Sequence, residues 1–466
     1  MVSLVMGVDS STQSTKVEVR DADDGALVAT GRAPHPAVNP PVSEQDPEAW
    51  WDALGAARAA AGHADDIVAI SIAAQQHGLV VLDEAGRVIR PAKLWNDTES
   101  APDASWLLDQ LSEGASAWAA ACGSVPVAAF TITKLSWLHR KEPDAFARIA
   151  RVGLPHDWLA WRLSGEWATD RGDASGTGYW SPSEGRWRPE LLEIIDADTD
   201  WAAALPRVAG PDEATGTGDN MAAALGAALA PGDVGVSLGT SGTVLALSER
   251  PTADASGIVA GFADATGRFL PLVCTLNATK VTDAIARLLG VDLATLDALA
   301  LSAPASANRS AASALTLVPY LDGERTPNRP DARGTLSGIG SDVTREDLAR
   351  AGFDGVVCGL LDGMDALGAA GIDTESGRLL LCGGGARSPA YRQALADLAQ
   401  RAVTVVDDAE ELVARGAAIQ AAARHHGCAI NAVQAGWSSR SETTVEPAQS
   451  QDFADARRAA YAAARG

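Results

Sequence analysis

Short apolar runs separated by clusters of Gly, Ser, Thr and Asp set the rhythm of this chain. Leu4 to Val8 is uniformly apolar, Thr15 to Arg20 alternates, and Ala26 to Arg32 follows a turn at Asp23-Asp24-Gly25. This pattern predicts an antiparallel meander with Ser10 to Ser14 at its first bend. Asp46 as cap, Pro47 at the first position and Glu48 in the first turn predict a helix with Trp50, Trp51 and Leu54 on its apolar face. Ile67 to Ile72 reads as a buried strand, Ala74 to Gly78 as a loop, and Leu79 to Asp83 as another strand. Asn96 and Asp97 close a short segment, Ala92 to Trp95, and Ser105 to Trp161 is mostly helical in pattern, Thr133 to Arg140 included. Thr169 to Gly178 is so rich in turn formers that it predicts a loop.

The second half restarts the opening pattern. Val234 to Leu238 is a strand, Gly239-Thr240-Ser241-Gly242 its turn, and Thr243 to Leu247 the returning strand. Gly7 to Val19 and Gly235 to Leu247 therefore share one plan and predict a duplicated unit. Helical segments follow at Asn277 to Leu289 and Val343 to Ala370. A buried strand, Arg378 to Cys382, then runs into Gly383-Gly384-Gly385-Ala386-Arg387-Ser388 and a helix begun at Pro389. Strand Val403 to Val406, helix Glu410 to His425 and an Ala-rich last helix, Asp452 to Arg465, complete the chain. A chain of 466 residues is too long for one ordinary core. The repeat divides it near residue 232, into domains 1–231 and 232–466.

Composition narrows the function. Hydrophobic content of 47% against 21% charged describes a globular protein, and a net charge of −23 argues against a nucleic-acid partner. A small phosphate ligand stays open, because backbone N–H groups and a metal ion can hold it. The five cysteines show no paired spacing, no basic leader precedes Asp9, and no apolar run reaches the length of a membrane span. The expectation is a cytoplasmic protein with reduced thiols and no membrane partner.

Candidate chemistry gathers at Gly216-Thr217-Gly218-Asp219-Asn220. Flanking glycines let a ligand approach closely, and Asp219 reads either as the cap of the following helix or as a base for phosphoryl transfer. It stands between the two Gly/Ser/Thr turns, Asp9 to Lys16 and Leu238 to Thr243, which favours the base. Of 13 tryptophans only Trp437 lies beyond Trp201, so a stacking sugar is expected in the first half.

In order along the chain stand GVDSSTQSTK (Gly7 to Lys16), SEQDPEAWW (Ser43 to Trp51), QQHG (Gln75 to Gly78), LWND (Leu94 to Asp97) and GDASGTGYW (Gly172 to Trp180). GTGDN (Gly216 to Asn220), SLGTSGT (Ser237 to Thr243), GERTP (Gly323 to Pro327) and GGGARS (Gly383 to Ser388) follow. Taken together they resemble the FGGY family of carbohydrate kinases, and most of all its xylulokinase branch. The resemblance implies an α/β fold of two ribonuclease-H-like domains, of the actin and hexokinase type, around a central cleft. It implies transfer of the ATP γ-phosphate to a ketopentose, D-xylulose first, with another sugar or polyol (ribulose, gluconate, glycerol) as the alternative, and with Mg²⁺.

By the same resemblance Asp219 is the base and Asp9 holds Mg²⁺ through water. Thr12, Gln13, Ser14 and Lys16 face the phosphates from one domain, and Gly239, Thr240 and Ser241 from the other. Gly383, Gly384, Gly385 and Ser388 form the adenosine loop. Gln76, His77, Trp95 and Asn220 contact the sugar, and Asp97 shapes the wall. Family members often carry Met in place of Gln76. About twenty residues that the family places before the catalytic loop are missing here, including the strand that should carry Asp219; Leu205 to Ala209 is one substitute for it. A catalytically weak sugar- or nucleotide-binding homologue is therefore the alternative, and an actin-like scaffold finds no use for the sugar motifs. Beyond the small-molecule sugar the sequence leaves a homodimer open.

Overall fold

The computed structural model describes residues 3–38, 40–63, 65–213, 216–303, 315–406, 411–437 and 442–466. Glu410, the start of a helix read above, lies outside these. The chain forms two compact units, Met1–Leu229 with Ser248–Pro271 and Glu411–Ser439, and Ala230–Leu247 with Leu272–Glu410 and Arg440–Gly466.

In the first unit, β1 (Leu4–Ser10), β2 (Ser14–Asp21) and β3 (Leu27–Pro34) form the expected antiparallel meander. β4 (Ile67–Ala74) lies parallel to β1, and β5 (Gly216–Gly218) parallel to β4, giving the order β5-β4-β1-β2-β3. β1 is wholly buried, which is why it reads as an unbroken apolar run. One face packs on the helix Pro47–Ala61, capped by Asp46, with Trp50 and Leu54 in the core and Trp51 at its margin. The helix Leu412–His426 packs on β1 and β4. A Cβ on Gly7 would stand 1.8 Å from the Ala414 carbonyl oxygen, so glycine is what lets this helix reach β1.

The second unit repeats the plan. β6 (Val234–Leu238) and β7 (Gly242–Ala246) form a hairpin, and residues 272–275 of β8 (Phe269–Thr275) continue it antiparallel. β9 (Leu379–Cys382) is parallel to β6, and β10 (Val403–Val406) parallel to β9. The order β10-β9-β6-β7-β8 thus matches the first unit strand for strand and direction for direction, with β11 (Glu442–Val445) added beside β10. The hairpin resemblance read from the sequence extends to five strands on each side.

Some expectations are corrected. Thr169 to Gly178 is not a plain loop. It holds a short strand, Ala168–Asp170, and a helix, Arg171–Ser175. Asp170 caps that helix by accepting from the backbone of Asp173 and Gly172, and burial then overrides the turn propensity of the segment. The stretch to Trp161 contains a strand, Arg151–Gly153, paired with Val80–Leu82. Trp437 packs on Gly25 in the first unit, so that unit holds every tryptophan. Among the described residues no helix is long and apolar enough to cross a membrane, and all five cysteines are free thiols.

Candidate active site

β5, β4 and β1 run side by side in one direction, so their carboxyl ends form a single edge of the sheet. In register, Ser10 lies opposite Ala74, and Ala74 opposite Gly218. That edge delivers Asp9 and the following turn, then Gln75 to His77, then Asp219 and Asn220. Ligands of open α/β sheets bind outside such carboxyl ends. The strand before Asp219 is therefore present: β5 fills the place, while residues Arg207–Ala209 pair with Ala168–Asp170 instead.

Asp219 is the first residue of the helix Asp219–Gly226, and Gly218 is its cap. The capping reading of Asp219 thus fails: its Oδ1 accepts from the Asn220 backbone at 2.8 Å and from Asn220 Nδ2 at 3.0 Å. Asn220 Nδ2 also donates to Gln76 Oε1 at 2.8 Å, and Gln76 Nε2 is buried with no partner. A Cβ on Gly218 would lie 2.7 Å from Gln76 Cγ, so the glycine makes room for the glutamine over the turn. Burial, together with the carboxylates of Asp9 and Asp173, pushes Asp219 up to about 8.

Asp9 closes β1 with its carboxylate buried. Ser11 Oγ donates to Oδ1 at 2.5 Å, and Lys16 Nζ stands 3.6 Å from Oδ2. Burial raises its pKa against the pull of Lys16. The Lys16 ammonium also lies 3.4 Å from Glu411 Oε2. Thr12 Oγ1 donates to Gln75 Oε1 at 3.3 Å and accepts from Trp95 Nε1 at 2.9 Å, while the Thr12 carbonyl accepts from Gln45. The Ser10–Ser14 turn, Gln75, Trp95 and Gln45 are thereby one hydrogen-bonded piece. Gln13 is exposed and Ser14 buried in the same turn.

His77 has a left-handed backbone (φ 67°), which is unusual outside glycine and concentrates at functional sites. Its Nδ1 donates to the Gly176 carbonyl at 2.7 Å, and its ring lies 4.9 Å from Phe130. Asp97 is wholly buried and accepts from the backbone of Ser43 and Glu99, so it shapes the wall from behind. Glu44, Asp97 and Glu99 have a spacing that would suit a cation, and Lys93 Nζ fills it at 2.9, 3.1 and 2.6 Å.

In the second unit the turn after β6 and the turn after β9 sit at neighbouring carboxyl ends. The Gly239 and Thr240 carbonyls accept from Thr279 and Ala278, and Gly239 N–H donates to Ser241, which fixes the turn. Gly383 (φ 82°) and Gly385 both press on Leu238, whereas Gly384 meets only an Arg387 nitrogen at 4.0 Å. Two of the three glycines are thus packing requirements, and Gly384 is the one that leaves a face open. Ser388 is tied down, capping the helix Pro389–Ala399 and donating to Asp297.

Residues 4–247 match the N-terminal domain, and residues 234–425 the C-terminal domain, of the FGGY family of carbohydrate kinases. The chain belongs to that family. Curated FGGY relatives include proteins named xylulose kinase from Streptomyces coelicolor, 47% identical over 93% of this chain and 90% of theirs. Another, from Streptomyces rubiginosus, is 45% identical over 95% and 92%. Among solved structures, a xylulose kinase from Bifidobacterium adolescentis is 39% identical with a TM-score of 0.84, covering 100% of both chains. The fold is the FGGY two-domain fold.

Sequence reasoning missed a buried cluster behind the Gly216–Asn220 turn of this FGGY chain. His156 Nδ1 lies 2.5 Å from Asp173 Oδ2, and His156 Nε2 lies 3.2 Å from Asp157 Oδ1. Thr217 donates to Asp170 Oδ2 at 2.7 Å. The available signal was the His156-Asp157 dipeptide after Pro155 and two aspartates in a segment read as loop.

Proposed function

We propose that this FGGY kinase transfers the γ-phosphate of ATP to D-xylulose, giving D-xylulose 5-phosphate and ADP, with Asp219 as the base. The observation that carries this is the Asp219–Asn220–Gln76 arrangement at the carboxyl ends of β5 and β4. One acceptor for a proton and two amides for hydroxyls stand together, in a chain 47% identical to a protein named xylulose kinase. As the sugar hydroxyl oxygen bonds to the γ-phosphorus, the bond to the β–γ bridging oxygen breaks, ADP leaves, and the hydroxyl proton passes to Asp219. A base so placed contributes ~10²–10⁴-fold. Its raised proton affinity suits this role, because it is matched to a working pH near neutrality.

Gln76 Nε2, buried and unpartnered, is a donor for a ketose oxygen, and His77 and Trp95 complete the sugar side. Asp9 raises the proton affinity of Asp219, an effect that a hard divalent cation with oxygen ligands would relieve. Asp9, with Asp219 beside it, would hold Mg²⁺, which would neutralise phosphate charge during transfer. In the second unit, Thr240, Ser241 and Gly384 would meet the nucleotide, and in the first the Thr12–Ser14 turn and Lys16 would meet its phosphates. The weak-homologue alternative loses its motive, since β5 supplies the strand whose absence suggested it. A coupled ADP-release assay with D-xylulose, L-ribulose, glycerol and gluconate tests the reading. Turnover is expected with D-xylulose first, and none above background with D-xylulose would overturn it.

A further inference from the structure

The helix Pro155–Ser164 begins with a buried histidine held between two buried carboxylates. His156 is 2% exposed, Asp157 and Asp173 are 0% exposed, and none of the three is needed as a surface charge. Asp157 belongs to the same helix, where its Oδ2 accepts from the Leu154 backbone. Asp173 comes from the helix Arg171–Ser175, and its Oδ1 has no hydrogen-bond partner. Asp170, which caps that helix, is the remaining charged group acting on the imidazole. The face toward β5 carries none: a Cβ on Gly216 would lie 2.8 Å from His156 Cδ2, and the next residue is Thr217.

This cluster grips the strand that presents the base. His156 packs close against Gly216, and Asp170 accepts from the Thr217 hydroxyl at 2.7 Å. Two residues on comes Asp219. A helix N-terminus disfavours a cation, so an imidazolium there needs its carboxylates. It has them: burial alone would depress His156, yet Asp157 and Asp173 outweigh it and hold the ring up at about 9. Asp173 in turn is one of the two carboxylates that act on Asp219.

We propose that His156, held between Asp157 and Asp173, is a positioning residue for phosphoryl transfer. It balances Asp173 and seats β5, and so fixes both the place and the charge environment of Asp219. Neither His156 nor Asp173 touches the sugar in this reading. Removing His156 strands both Asp157 and Asp173, whereas removing His156 and Asp173 together strands only Asp157, which keeps its bond from the Leu154 backbone. A shift of the base of the order of 1 Å is enough to cost ~10²-fold in rate.

The inference rests on Asp219 as base and is tested on the full chain, with whichever acceptor the wild type phosphorylates and Mg²⁺-ATP as donor. Failure of all acceptors with wild type would count against the functional reading, whereas the variants below address the clamp. H156Q and D173N are each expected to lower kcat tenfold or more with the sugar KM within about threefold. The double variant H156Q/D173N is expected to be no slower than the slower single. A purely packing role would leave kcat intact in folded singles or make the two losses multiply, and either result overturns the proposal. Where H156Q does not fold, D173N, which keeps the ring against Gly216, decides. A tenfold loss of kcat at unchanged KM in folded D173N supports the clamp, and unchanged kcat overturns it.

Discussion

The Asn220 side-chain amide donates to Gln76 Oε1 at 2.8 Å, joining the loop after β4 to the first turn after β5. Those residues are separated by 144 positions in the chain. The same amide nitrogen reaches Asp219, so Gln76, Asn220 and Asp219 form one hydrogen-bonded chain.

Gln76→Ala removes that acceptor and the unpartnered donor beside it. The expected result is a rise in the sugar KM of ~3–10-fold, the worth of one hydrogen bond, with kcat changed less. Steady-state kinetics on D-xylulose check it, and an unchanged KM removes Gln76 from the sugar site.

Asp219→Asn keeps the shape of the turn and removes the base. Turnover should fall ~10²–10⁴-fold. Sugar binding, followed by tryptophan fluorescence through Trp95, should stay within about tenfold of wild type. Retained turnover eliminates the assignment of the base.

Proton affinity gives the same residue a second signature. Asp219 is held up at about 8, well above an unfolded carboxylate. Its contribution to stability is therefore full at pH below about 4 and is lost as the pH rises through about 8. At pH 9 Asp219→Asn should melt higher than wild type, and the gap should close as the pH falls toward 4. On the activity side, kcat/KM of wild type should climb with pH through the same region, as the free carboxylate forms. A flat profile from pH 6 to 9 contradicts it.

Lys93 is a stability residue by this geometry. Its ammonium is 0% exposed, touches Glu44, Asp97 and Glu99, and lies 3.9 Å from the Trp137 ring centroid. Lys93→Met strands the buried Asp97, while Glu44 keeps Arg90, and should cost ~3–5 kcal/mol in denaturant unfolding. Added Mg²⁺ should not restore it, because the site is shaped by an ammonium.

The glycines after β9 separate packing from binding. Gly383→Ala should destabilise the protein, since a side chain there meets the Leu238 carbonyl at 2.7 Å on a left-handed backbone. Gly384→Leu should fold normally and raise the KM for ATP several-fold. Equal effects on stability would show that Gly384 is only part of the turn.

Much of the frame was legible because it is written locally. The apolar run of β1, the Asp46-Pro47-Glu48 helix start and the Gly/Ser/Thr turns each act over a few residues, where period and capping chemistry suffice. The helix Arg171–Ser175 was not legible: Gly, Ser and Asp favour turns until burial and the Asp170 cap decide otherwise. β5 was missed for a related reason. Gly216-Thr217-Gly218 has no strand propensity and becomes a strand only by pairing with residues 72–74.

By itself the sequence determined the family, the twofold repeat and the motif residues proposed for the chemistry, since those are set by residue type and short-range order. The tertiary structure alone decided which of them meet. Lys16 beside Glu411, His156 against Gly216 and Asp173, and Asn220 on Gln76 join segments with no local signal of one another. Their pairing, and the burial that raises Asp219 and Asp9, come from strand register and helix packing, which depend on the whole core at once.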